Sequence, residues 1–101
     1  PAENAFDRYS EIFKCACRQD KDRLVLIAMS ATATVLAYDL AHEGFQAIDI
    51  GHIDLEYEWM KAGAGKKTEI KHKYNNELAG GEIVEDIHDG KYEDQIIERI
   101  I

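Results

Sequence analysis

The apolar positions of this chain change period along its length, and each change marks an element. Phe6, Tyr9, Phe13 and Cys17 recur at helical spacing, with Ile12 and Ala16 beside them. They predict a helix over about residues 5 to 17, with Asn4 as its N-cap and Asp7 as an acidic residue in its first turn. Gln19-Asp-Lys-Asp22 reads as a polar turn. Leu24-Val-Leu-Ile-Ala-Met29 is a continuous apolar run, the pattern of a strand buried on both faces of a parallel sheet. After Ser30 and Ala31 the period returns to helical. Ala33, Leu36, Ala37, Leu40 and Ala41 form the inward stripe, and Asp39, His42 and Glu43 fall mostly on other faces. Gly44 is suited to end that helix. Gln46-Ala-Ile-Asp-Ile50 then reads as a second strand. Strand, helix and strand follow within a span that suits a right-handed βαβ crossover.

From His52 to Met60 two periods compete. Apolar residues at 53, 55, 57 and 59 alternate as in a strand. A strand running from residue 46 to 60 would be unusually long, however, and Gly51 offers a break. The helical reading is favoured. It puts Leu55 and Trp59 on one face and Asp54 and Glu58 on the opposite one. Ala62-Gly-Ala-Gly65 reads as a connection, Asn75-Asn76 and Gly80-Gly81 as turns, and Ile83-Val84 as a short strand. Asp89-Gly90 is another turn. Ile96, Ile97, Ile100 and Ile101 predict a helix from Tyr92 to the end. The fold class expected is α/β: a fragment with a βαβ unit, parallel strands and a C-terminal helix.

Composition narrows the function. The 101 residues suffice for one domain or part of one, and 46% are hydrophobic, typical of a globular chain. The formal net charge of −8 disfavours binding to nucleic acid or anionic membrane surfaces. No run approaches the about 20 apolar residues of a transmembrane helix. Residues 1 to 18 do not read as a signal peptide. Pro1 stands first instead of methionine, so the expectation is a piece of a longer protein. Cys15 and Cys17 cannot share a helix face and lack further ligands at zinc spacing, so two free thiols are expected.

Two places could carry chemistry. One is the strand-to-helix turn, residues Ser30, Ala31, Thr32, Ala33 and Thr34. Ligands of open α/β sheets bind at the carboxyl ends of strands, where a helix start presents free N–H groups. The competing reading is that Ser30 or Thr32 simply caps the helix. The other is His52 with Asp54, Glu56 and Glu58. Carboxylates and diphosphate oxygens suit Mg²⁺ or Mn²⁺, and a carboxylate or histidine can act as general base. The competing reading is an acidic, solvated helix face. A basic run, Lys66, Lys67, Lys71 and Lys73 with His72, suits either an anionic substrate or plain solvation. Tyr57 and Trp59 suit stacking on a base or sugar, or, for Trp59, core packing.

The motifs together resemble a known family. Asn4-Ala-Phe-Asp7, Thr32-Ala-Thr-Val-Leu-Ala-Tyr-Asp-Leu40 and the stretch Gln46 to Trp59, with its Gly-His-Ile-Asp-x-Glu-Tyr-Glu-Trp, carry it. Lys73-Tyr74, Asn76-Glu77, and Tyr92 with Gln95-Ile-Ile97 add to it. They look like the C-terminal part of the GT-D-fold glycosyltransferase domain, formerly a domain of unknown function. The resemblance implies a Rossmann-like three-layer α/β fold, in agreement with the βαβ reading, and a metal-dependent (Mn or Mg) hexosyltransferase. It would take a nucleotide sugar such as UDP-glucose, act on a glycan of a bacterial surface glycoprotein or polysaccharide, and work in the cytoplasm. It assigns His52, Asp54 and Glu58 to catalysis, Asp54, Glu56 and Glu58 to metal, and Ser30 to Thr34 to the nucleotide diphosphate. Two departures stand out. The family has Gly-Pro where this chain has Ser30-Ala31. The family domain is also well over twice this length, and its N-terminal half carries an Arg…Gly-Asp-Gly-Glu motif. The metal-binding Asp-x-Glu is that pair, or Asp54-Leu-Glu56, or both contribute. Without that half the isolated chain is expected to be inactive. The alternative is a non-catalytic nucleotide-binding or interaction module. The terminal isoleucines offer a surface for the other half or for self-association.

Overall fold

The computed structural model describes residues 3–63 and 88–101. The basic run, the Asn and Gly turns and the Ile83-Val84 strand all lie outside the described residues. Two compact units share the chain: residues 1–51 with 98–101, and residues 52–97.

The first unit opens with a 3₁₀ turn, Ala5–Arg8, continuing into helix α1, Tyr9–Cys17. The predicted span is met, but the start differs in mechanism. Asn4 makes no side-chain cap and instead takes a left-handed backbone (φ 52°), and its carbonyl accepts from Asp7 N at 2.9 Å. Asparagine is among the few residues that tolerate this conformation. Phe6, Tyr9 and Phe13 stack in sequence along one side, with ring centroids 5.2 and 6.2 Å apart.

Strand β1, Leu24–Ile27, pairs in parallel with β2, Gln46–Asp49, and α2, Ser30–His42, crosses between them. The register sets Leu24 beside Gln46 and Ile27 beside Asp49. This is the expected βαβ unit. Gly44 (φ 92°) lets the chain leave α2 and return to the sheet. The core comprises Ile27, Ala33, Leu36, Leu40 and Phe45, with Tyr9, Ile12, Phe13, Ala16 and Cys17 of α1 packed against it. Ala33 is wholly buried. Having only a methyl group, it lets the helix axis come close to the strands.

Two expectations need correction. Leu24 and Leu26 are 51% and 57% exposed, and Ile48 is 44% exposed. In β1, then, only Val25 and Ile27 point into the core. A run that is apolar at every position cannot reveal whether its second face has a cover. The terminal helix is also much shorter than predicted. Helix α4 spans Gly90–Glu93, capped by the Asp89 carboxylate, which accepts from Lys91 N at 2.9 Å and from Tyr92 N. Residues 96–101 are not helical, so the helical face on which self-association was expected does not form. β-branched isoleucines favour helix only weakly, and packing usually decides such segments. Here Glu98 instead accepts from the Arg18 guanidinium, tying the end of the chain back to the residue that follows α1.

Asp39, predicted to face away from the core, is half-buried and accepts a hydrogen bond from the Tyr9 hydroxyl. Burial, then this bond and the carboxylate charge, push the Tyr9 phenol up to about 12. A raised folded-state value means the folded protein holds its proton while the unfolded chain, near 10, loses it. This contribution is intact below pH 10 and is lost as pH rises from 10 through about 12. Tyr9→Phe is expected to flatten the fall in urea-unfolding stability over that window. An unchanged slope in the variant would refute the coupling.

Candidate functional site

The parallel register brings the carboxyl ends of both strands to the start of α2. Ile50 N donates to Ile27 O at 2.9 Å, extending the ladder one residue past β2. Met29 (φ −145°, ψ 39°) turns the chain off β1, and Ser30 enters α2 with φ 51°. A left-handed serine costs about 1–2 kcal/mol relative to the right-handed form. Glycine would adopt that conformation freely, and this is where the chain departs from the Gly-Pro of the family it resembles. The helix-cap reading of Ser30 and Thr32 is not the observed start: Met29 is the N-cap and makes no side-chain cap bond. The five turn residues divide by environment. Ser30, Ala31 and Thr34 are exposed, Thr32 is half-buried, and Ala33 is in the core. Ala33 can therefore offer a ligand only its backbone.

Sequence reasoning missed one side chain at this edge. Asp49 closes β2, and its carboxylate is held from two sides. Oδ2 accepts from Thr34 Oγ1 at 3.0 Å, and Oδ1 accepts from Gly51 N at 3.0 Å. Gly51 (φ 56°) makes the reversal that aims its N–H back at the strand end. The available signal was positional. An acidic residue about 20 residues after the first strand-to-helix turn, at the end of the next strand, is the usual mark of a dinucleotide-binding βαβ unit.

The second unit holds the other candidates. His52 is the half-buried N-cap of α3, Ile53–Ala62, and its carbonyl accepts from Glu56 N at 3.0 Å. The helical reading of this stretch is correct. Leu55 and Trp59 are 0% and 6% exposed, while Asp54 and Glu56 are exposed in the first turn. Trp59 is thus a packing residue, and Tyr57 is exposed with Lys61 Nζ 5.2 Å from its ring centre. Lys61 also lies 3.5 Å from Glu58 Oε2. Asp54 and Glu58 are four apart and share a face. Glu56 is two away from each and points elsewhere. Among the described residues no three His, Cys, Asp or Glu side chains gather as a metal would need. Asp54 and Glu58 fit the mode in which Mg²⁺ takes one or two carboxylates and fills its shell with phosphate and water oxygens. They do not fit a three-carboxylate cage. The negative charge of Asp54 and Glu56 also suits the positive end of α3, the ordinary helix-stabilising role.

The remaining candidates are quieter. Cys15 and Cys17 are free thiols, as expected. A hydrogen bond with Glu98 and burial raise the Cys15 thiol, and burial raises that of Cys17, which makes both poor nucleophiles. His42 meets the Tyr38 ring edge-on, and His88 lies 4.0 Å from Glu93. No helix among the described residues is long and apolar enough to cross a membrane.

Comparison with known proteins bears directly on these segments. A family model described as the glycosyltransferase GT-D fold matches residues 1–78, which include the β1–α2 turn, Asp49 and α3. "Glycosyltransferase GlyD" of Streptococcus pneumoniae serotype 4 is 41% identical over 101 residues, covering 100% of this chain and 12% of that protein. "Probable glycosyl transferase Gly" of Streptococcus gordonii is 42% identical, covering 99% of this chain and 15% of that protein. The chain thus spans a small part of the curated relatives it matches. A solved structure described as a new glycosyltransferase (DUF1792) from Streptococcus sanguinis superposes with TM-score 0.90 at 37% identity. That match covers 100% of this chain and 38% of the solved one. A second, described as domain of unknown function 1792, gives TM-score 0.87 at 39% identity, covering 96% of this chain and 35% of the other.

Proposed function

The chain belongs to the glycosyltransferase GT-D fold family, and from that premise we propose that it forms part of a metal-dependent hexosyltransferase. The donor is a nucleotide sugar such as UDP-glucose. The acceptor is a glycan of a bacterial surface glycoprotein or polysaccharide, and the reaction takes place in the cytoplasm. The family match through both candidate segments carries the reading, because it includes the strand-end turn and the acidic helix together. Since the chain spans 35% and 38% of the solved relatives, the activity is assigned to the native polypeptide that carries this sequence, not to the 101 residues alone.

In this reading the acceptor hydroxyl attacks the anomeric carbon, and the bond from that carbon to the diphosphate oxygen breaks. Glu58 or Asp54 takes the hydroxyl proton, with His52 assisting. The backbone N–H groups at the start of α2, with the Ser30 and Thr32 hydroxyls, hold the departing diphosphate. When bound, Mn²⁺ or Mg²⁺ would be held by whichever of Asp54 and Glu58 is not the base, or by Glu56, and would supply charge neutralisation to a diphosphate leaving group. The left-handed Ser30 supports the diphosphate role, since strain of this kind concentrates at ligand-holding turns.

The native polypeptide, incubated with UDP-glucose and a surface glycopeptide, is expected to release UDP and add one hexose in mass. UDP-sugar binding without transfer to any glycan, across a panel of donors, would instead make the protein a nucleotide-binding module. Absence of both binding and transfer would leave an interaction module.

A further inference from the structure

We infer that Asp49 reads the ribose of the nucleotide, accepting hydrogen bonds from its 2′- and 3′-hydroxyls. The inference rests on the nucleotide-sugar reading above and adds a residue and a substrate feature to it. Asp49 stands at the carboxyl end of β2, next to the carboxyl end of β1, to which β2 is paired in parallel. Ligands of open α/β sheets lie against this edge. The turn that would hold the diphosphate begins α2 at Ser30, and Thr34 of the same helix donates to Asp49. A ribose joined to that diphosphate therefore has this carboxylate within its surroundings.

The chemistry of the carboxylate fits. Thr34 Oγ1 and Gly51 N each occupy one acceptor position on a different oxygen. An ionised carboxylate has about four such positions, so each oxygen keeps one for a hydroxyl. The residue is exposed, and the two existing bonds fix its rotamer before any ligand arrives. Two adjacent acceptors match the spacing of a cis-diol. If Asp49 served only to pin the strand end, the identity of the sugar would not matter to it. That difference makes the two roles separable.

The test compares UDP with 2′-deoxy-UDP by calorimetry on the native polypeptide. Hydrogen bonds to charged groups are worth enough to predict that the wild type binds UDP at least about tenfold more tightly. Asp49→Asn keeps the side-chain shape and one acceptor, and is expected to cut that ratio to about threefold. Asp49→Ala is expected to bring it to about one. Thr34→Val removes the supporting bond but not the carboxylate, and is expected to weaken both nucleotides together. A ratio near one in the wild type, or a ratio that survives in Asp49→Asn and in a folded Asp49→Ala, overturns the ribose assignment while leaving the proposed function intact. Failure of the wild type to bind either nucleotide overturns the proposed function, and the ribose assignment with it.

Discussion

Replacing Glu58 by glutamine is expected to lower turnover about 100-fold or more while leaving the unfolding transition nearly where it was. A positioned general base contributes about 10²–10⁴-fold, and an amide of the same size cannot accept the proton. Stability should hardly respond. Glu58 is partly exposed, and its ion pair with Lys61 at 3.5 Å joins side chains three apart on one helix. Such pairs are worth only about 0.3–0.5 kcal/mol. The apolar face of α3, Leu55 and Trp59, is untouched by the change. Steady-state transfer from UDP-glucose, measured beside a thermal melt, checks both halves. Wild-type turnover in Glu58→Gln would move the base to Asp54, and Asp54→Asn is then the variant to lose activity. Full turnover in both would remove α3 from the chemistry.

Leu40→Ala is expected to destabilise the protein by about 3 kcal/mol, within the range for a buried leucine in a packed core. Leu40 is wholly buried and lies in the cluster of Ile27, Ala33, Leu36 and Phe45. Its carbonyl also accepts from Phe45 N at 3.0 Å, so it stands at the point where α2 ends and the chain turns toward β2. The neighbours that would have to collapse into the gap are held by helix and sheet backbone, so the cavity should persist. Against a total stability of about 5–15 kcal/mol, this is a large fraction. Urea unfolding gives the measurement. A loss below about 1 kcal/mol would mean that the α2–sheet interface is not the main core of this unit. Ala41, next in sequence but exposed, is the matched control site, where Ala41→Ser should cost about 0.5 kcal/mol or less.

The helices and strands were legible wherever a local period and a local stop signal agreed. Residues 30–44 show both: Ala33, Leu36 and Leu40 of the predicted stripe are buried, Ala37 is half-buried, and Gly44 ends the helix, while Ala41, read into the same stripe, is exposed in the last turn. The His52–Trp59 stretch was harder because its apolar residues satisfy two periods. Gly51 decided it, and the observed φ of 56° there shows why a break forms at that residue. The C-terminal isoleucines misled because their helical spacing had no partner surface in the sequence to confirm it. The residues after Asp94 leave the helix and Glu98 bonds to Arg18, a residue far away in the chain.

The candidate site was legible in its residue types and only partly in its arrangement. That Asp54 and Glu58 share a face follows from helical geometry alone, and so does Glu56 lying off that face. The sequence by itself also determined the βαβ order, the free thiols and the acidic surface, because these depend on neighbours a few residues apart or on composition. Only the tertiary structure decided that Asp49 faces Thr34, that Asp39 receives Tyr9, and that Leu24, Leu26 and Ile48 are exposed in this chain. Each of these depends on strand register or on which surface another element happens to cover. Such contacts form between residues far apart in the chain, and no local period encodes them.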